Sequence, residues 1–132
     1  MRVAYVCADH GVPVFGHKGC SIHVREACAA LESLGARVTL FASRRGGTPP
    51  SAFTCSNVVS LPSIDGVDVA TRERQFIARN RTVEDLLARH GPFDVVYERA
   101  ALWSIAGTRY AKTAGVPSLL EVNAPLVDEH AR

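Results

Sequence analysis

With 132 residues the chain has the length of one domain, enough to bury roughly two thirds of the surface its unfolded form exposes. A hydrophobic share of 47%, a charged share of 21% and a mean hydropathy of +0.06 are those of an ordinary globular protein, and no apolar run approaches the length of a bilayer span. The net charge of +2 is too small to argue for nucleic acid, so no nucleic-acid partner is expected.

Strand and helix patterns alternate from the first residues onward. "RVAYVCA", Arg2 to Ala8, is a short apolar run ending at a turn, as expected of a strand buried on both faces in a parallel sheet. It is too short for a secretory signal and leads straight into Asp9 and His10, which favours a cytoplasmic protein. Cys7, Cys20, Cys28 and Cys55 show no C-x-x-C spacing and read as free thiols.

The next stretch, "HGVPVFGHKGCSIHVRE", comes close to two phosphate-binding motifs and satisfies neither. Gly11 and Gly16 have P-loop spacing, but His17 stands where Lys is required, and Lys18 is followed by Gly19 rather than by a hydroxyl for magnesium. Gly16 and Gly19 supply the last two glycines of the dinucleotide fingerprint, while Val14 occupies the first.

From Ser21 a helix is predicted, with Val24, Ala27, Cys28, Leu31 and Leu34 on one stripe and Gly35 ending it. Arg37 to Ala42 is a second strand. Ser43 to Ser56 has the Gly, Pro and Ser content of a mobile surface loop, and Asn57 to Pro62 is a third strand near an edge. Phe76, Ile77, Val83, Leu86 and Leu87 mark a longer helix that stops at Gly91 and Pro92. Its Arg72, Arg74, Arg79, Arg81 and Arg89 alternate with Glu73, Glu84 and Asp85, the pattern of a solvated face. Phe93 to Glu98 is a fourth strand, Leu102 to Ala114 a helix ended by Gly115, and Pro117 to Val122 a fifth strand. This order predicts a doubly wound α/β domain with a mostly parallel, Rossmann-like sheet.

Ligands of such sheets lie beyond the carboxyl ends of the strands, and three polar clusters fall there. In the glycine loop, Gly16 and Gly19 allow close backbone approach and the helix start offers free N–H groups to an anion; equally, the glycines make only a turn and Ser21 only caps the helix. His23, one turn in, faces either the cleft as a donor or proton carrier, or solvent. After the fourth strand, Glu98 and Arg99 are either the rim of a site or an ion pair tying loops together. Tyr97 and Trp103 add aromatic surface, for which the core is the plainer role. Glu121 interrupts an apolar strand end and requires a partner, for which Arg99 is suited.

"FGHKGCSIHVRE" followed by "LGARVTLFA", then "FDVVYERAALWSIAG" and "GVPSLLEVNAPLVDEHAR", together resemble the amino-terminal domain of glycosyltransferase family 4, the retaining GT-B enzymes. The resemblance runs from Met1 to Arg132 and is thin between Ser43 and Arg81. It implies one half of a GT-B fold: this Rossmann-like domain, residues 1–132, mainly binds the acceptor, and a second domain, missing here, binds most of the nucleotide-sugar donor. It further implies that Gly16, Gly19, Cys20 and Ser21 approach the donor diphosphate and sugar, that Gly19, His23 and Asn123 take part in catalysis, and that Tyr97, Glu98, Arg99, Glu121 and Asn123 line the acceptor cleft. No metal and no cofactor are expected. The acceptor is not specified, and peripheral membrane association stays open.

The chain departs from the family pattern in three respects. Cys20 replaces a second glycine found in many members, Asn123 replaces a histidine, and the donor domain has no counterpart. An amide at 123 can hold a sugar hydroxyl but cannot act as a base near neutral pH. Arg132 ends the chain inside an apparent helix start, "LVDEHAR", so a piece of a longer polypeptide, inactive alone, is the expectation. Two rivals differ in class. One is a stand-alone nucleotide- or sugar-phosphate-binding module without catalysis. The other is a flavodoxin-like or response-regulator-like interaction domain, which needs an acidic cluster after the first strand that Asp9 alone does not make.

Overall fold

β1 (Arg2–Cys7) is buried at every residue but the first, and it takes the centre of the sheet. The structure is a computed structural model and describes residues 1–125; the helix start expected at "LVDEHAR" lies outside the described residues. After β1 come α1 (Gly19–Ser33), β2 (Arg37–Ala42), β3 (Asn57–Ser60), α2 (Val69–His90), β4 (Val95–Arg99), α3 (Ala106–Ala114) and β5 (Ser118–Glu121). The sheet order is β3-β2-β1-β4-β5 and all four pairings are parallel, which makes this the expected doubly wound, Rossmann-like α/β fold.

The pleat sorts each strand into two cores. Val3, Tyr5 and Cys7 of β1 join Val38, Leu40 and Ala42 of β2 under Val24 and Cys28 of α1. Ala4 and Val6 join Phe41, Val83 and Leu87 on the other face, where α2 and α3 lie. The strand order reverses direction between β1 and β4, so the crevice of this sheet opens at their carboxyl ends.

Boundaries shift where local chemistry overrides the apolar pattern. α2 begins two turns before Phe76 because Asp68 caps it, its carboxylate accepting from the Thr71 N–H at 2.8 Å. Arg79 corrects the reading of a wholly solvated arginine face: it is 6% exposed and donates to the Ala8 and Pro62 carbonyls and to Ser43 Oγ, tying together the ends of β1, β2 and β3. Leu34 leaves the α1 stripe, since it is the C-cap residue and 84% exposed. The segment read as a mobile loop is tied down at both ends. Arg44 and Arg45 carbonyls accept from the Val14 and Phe15 N–H groups, and Glu32 Oε1 accepts from the Ser56 N–H and hydroxyl.

β5 sits at an edge with little cover on either face: Leu119 is 58% exposed, Leu120 57% and Val122 65%. A parallel strand is normally covered on both faces, and an open apolar edge pairs readily. The described domain should therefore self-associate as concentration rises, and Leu119→Lys with Leu120→Glu should suppress it. Sedimentation showing a monomer at all concentrations would remove the idea.

Candidate functional site

Parallel register brings the third sequence cluster against the second. Arg99 of β4 is the register partner of Glu121 of β5, so both side chains leave the same face of the sheet, the one covered by α1. Arg99 donates to Glu121 Oε1 at 2.9 Å, the pairing expected from the sequence, and both side chains are largely buried. Asn123 donates its amide to the same oxygen at 2.7 Å. Oε2 accepts from the Tyr97 hydroxyl at 2.5 Å and from His23 Nε2, on the first turns of α1, at 3.1 Å. Since a carboxylate only accepts, Nε2 is the protonated nitrogen of that ring.

His23 thus faces the crevice rather than bulk solvent alone, and residues from α1, β4 and the segment after β5 meet on one carboxylate. Burial pulls the Glu121 carboxyl up, but the hydrogen bonds from Tyr97, Asn123 and His23 outweigh it and hold it below its usual value. Burial and the bond to Glu121 push the Tyr97 phenol up to about 12, so it remains a donor at neutral pH. Beneath it, Tyr5 stacks on Tyr97 with ring centroids 4.9 Å apart, fixing the Tyr97 ring against β1. Asn123 is exposed and keeps a second amide N–H and its carbonyl oxygen, a set suited to a ligand hydroxyl.

The glycine loop stands beside this cluster. Gly16 is buried and turns the chain in a tight space: a Cβ would lie 3.0 Å from Pro13 Cγ and 3.1 Å from its carbonyl oxygen, so Pro13 would have to give way. Gly19 is exposed and a Cβ on it meets nothing within 4 Å, so space around the helix start is open. Ser21 does not cap the helix. Lys18 is the N-cap and makes no side-chain cap, and the first turn holds no acidic residue. The Gly19 and Cys20 N–H groups therefore stay available with the positive end of the helix dipole behind them. Ser21 is instead fully buried one step further in, its Oγ without a partner among the described residues, and Cys20 packs against the α1-side core.

Sequence reasoning missed two residues that hold this loop. Arg25 reaches back from α1 and donates to the Val14 and Gly16 carbonyls at 2.7 and 2.9 Å. Gly46, at φ +70°, lets the chain after β2 pass against Pro13, where a Cβ would lie 2.2 Å from the Pro13 Cβ. An arginine four residues into a predicted helix and a glycine pair carry no signal that they meet the same loop.

Glu98 leaves the site. It alternates to the opposite face from Tyr97 and Arg99, is 1% exposed, and lies under the start of α3, where Oε2 accepts from the Thr108 N–H at 2.9 Å. Placing it in the acceptor cleft is corrected on this geometry: period-2 alternation sends it to the α2–α3 core. Burial raises its carboxyl to about 7 from an ordinary 4.5, against the hydrogen bonds from the Thr108 and Gly107 N–H groups. The folded state then holds its proton more tightly than the unfolded state, so the Glu98 contribution to stability is full below pH 4.5 and is lost as pH rises through 7, by about 3 kcal/mol in all. Glu98→Gln should remove that slope. The check is the difference in unfolding free energy between parent and variant at mildly acidic and mildly alkaline pH; an unchanged difference would exclude a buried proton on Glu98.

No family model matches the chain, and no curated protein matches it. Among solved structures, the C-terminal domain (residues 78–226) of the PF1911 hydrogenase from Pyrococcus furiosus is similar, with a TM-score of 0.62 and 14% identity over 91% of this chain and 90% of that one. The likeness is one of fold. Among the described residues, no group of His, Cys, Asp and Glu is arranged to hold a metal, and no helix is long and apolar enough to cross a membrane.

Proposed function

We propose that this is the acceptor-side domain of a retaining glycosyltransferase that moves a sugar from a nucleotide-sugar donor. The observation that carries the reading is the Glu121 carboxylate at the end of β5, which gathers Tyr97, Arg99, His23 and Asn123 beside an uncapped helix start. A carboxylate held ionised among fixed donors, with an exposed amide next to it, suits a polyol. An uncapped helix start suits the diphosphate that leaves when the sugar departs. The fit to both halves of one reaction at the carboxyl ends of β1, β4 and β5 favours transfer over simple binding of a sugar phosphate.

Catalysis in this reading needs a donor-binding domain facing the crevice. The 132-residue chain alone should release no nucleoside diphosphate from UDP-, GDP- or ADP-sugars, whereas the polypeptide joining it to a donor-binding domain should. Within that polypeptide, Glu121→Ala should abolish acceptor-dependent turnover. Turnover by the isolated chain above a blank, or full activity of the Glu121 variant, would overturn the proposal.

A further inference from the structure

A cavity of about 260 Å³ opens between α2 and the segment that joins β3 to it. Pro62, Ile64 and Ala78 give it apolar walls, Ser63 and Thr82 bring hydroxyls, and Arg79 is the charged residue of the lining. Charged side chains are seldom buried without a partner of opposite charge, because desolvating an ion is costly. Arg79 is such a case. It is buried, and its hydrogen-bond partners are neutral oxygens: Nη1 donates to Ser43 Oγ at 2.7 Å and to the Pro62 carbonyl at 3.1 Å, Nη2 to the Ala8 carbonyl at 2.6 Å. No carboxylate pairs with it among the described residues. Desolvation lowers its pKa and no neighbouring negative charge pulls the other way.

A guanidinium has five N–H donors, so the Nε–H and one Nη2–H are left with no protein acceptor among the described residues. Asp65, the acid bonded to the lining, is taken up elsewhere: it accepts from Gln75 Nε2 at 2.6 Å. The positive balance extends past the cavity. Burial first, then Arg44 and Arg79, lower the pKa of the His10 ring against a smaller opposite pull from Asp9, and His10 Nδ1 lies 3.3 Å from the same Ser43 Oγ. Ala8, Ser43 and Pro62 each follow a strand within two residues, which puts Arg79 at the carboxyl ends of β1, β2 and β3, where parallel sheets hold ligands. Tying those strand ends together accounts for three of the N–H groups and leaves the charge unanswered.

We propose that this cavity binds a small organic carboxylate, its oxygens meeting the Arg79 guanidinium and its apolar body lying on Pro62, Ile64 and Ala78, with the Ser63 and Thr82 hydroxyls at the rim. Guanidinium–carboxylate bonds are charge-assisted and forked, hence among the strongest of their kind. One unpaired cation matches a monoanion and apolar walls match a hydrocarbon body, which favours a carboxylate over a phosphate. None of the Glu121 or Gly19 groups takes part, so the site stands or falls independently of the transferase reading.

The test uses the 132-residue chain with acetate, hexanoate and benzoate as probes, benzamide as the neutral match to benzoate, and inorganic phosphate as the rival anion. Calorimetry and amide NMR should show saturable binding of hexanoate or benzoate, with shift changes centred on Ser63, Ala78 and Thr82, and none with benzamide. The melting temperature should rise with the same ligands, since binding to the folded state alone stabilises it. Arg79→Met should weaken binding by about tenfold or more, the effect of losing a charge-assisted pair. Because Arg79 also holds three strand ends, Ala78→Phe is the second variant. It fills the cavity from an exposed helix position, leaves Arg79 in place, and should abolish binding in a protein that melts like the parent. Parent protein with no saturable response to any of the three carboxylates overturns the proposal. So does benzamide bound as tightly as benzoate, phosphate bound in place of the carboxylates, or either variant, once shown to be folded, binding like the parent.

Discussion

Gly19→Val is expected to fold as the parent does and, in the polypeptide that joins this domain to a donor-binding one, to lower kcat by on the order of a hundredfold. Folding is spared because a Cβ at Gly19 meets nothing within 4 Å. Under the proposed function turnover is not spared, because that open space is where the leaving diphosphate would sit over the Gly19 and Cys20 N–H groups. Those donors are fixed by the helix start and by Arg25 on the loop behind, so they meet growing charge on the diphosphate without reorganising. An added isopropyl group moves the charge away from them. The donor KM should change much less than kcat, since in the proposed two-domain enzyme a ground-state diphosphate would have other partners in the donor-binding domain. Lys18→Ala should matter little, the Lys18 side chain being exposed and making no cap. A folded Gly19→Val enzyme with parental kcat would reduce the loop to a turn.

The second large effect concerns folding. Gly107→Ala should destabilise the domain by about 3 kcal/mol or more, because the new Cβ would stand 1.8 Å from Glu98 Oε2 and 2.8 Å from its Cδ. A carboxylate at the end of a side chain could swing aside if it were free. Glu98 is 1% exposed and bonded to the Thr108 N–H, so moving it leaves a buried acid without donors and the start of α3 without an acceptor. Placing Gly107→Ala in a Glu98→Ala background should reduce its cost to below about 1 kcal/mol, a coupling that a double-mutant cycle reads directly. Equal costs in both backgrounds would show that the glycine serves something other than Glu98.

Element order and sheet class were legible in the sequence because buried parallel strands are continuous apolar runs separated by helical stripes, and neither signal depends on distant partners. The Arg99–Glu121 pair was legible for a related reason: a charge at each of two adjacent strand ends has few partners to choose from. Glu98 was not, because "YER" gives no sign of which of three consecutive polar residues the pleat turns inward. Asn80 and Arg79 were hidden by position, each a polar residue in mid-helix with partners distant in sequence, Trp103 and Ile105 for Asn80, Ala8 and Ser43 for Arg79. For Trp103 the sequence left aromatic surface and core both open, with core the plainer role, and the residue is 44% exposed. The Asn80 amide holds the Trp103 carbonyl and the Ile105 N–H, contacts that no local pattern encodes.

The close passage of Gly46 beneath Pro13 also governs where this sequence can grow. Residues 44–47 run as a splint along the glycine loop, through the Val14 and Phe15 hydrogen bonds, with no room for a side chain at Gly46. One residue inserted between Ser43 and Gly47 would slide the splint and carry the glycine loop with it. From Thr48 to Ala52 every residue is exposed, before Phe53 packs edge-on against Phe15 of the glycine loop, so lengthening within 48–52 costs only slow-growing loop entropy and leaves the crevice in place. Inserted residues should thus be tolerated on one side of Gly47 only, with the geometry around Gly19 insulated from them.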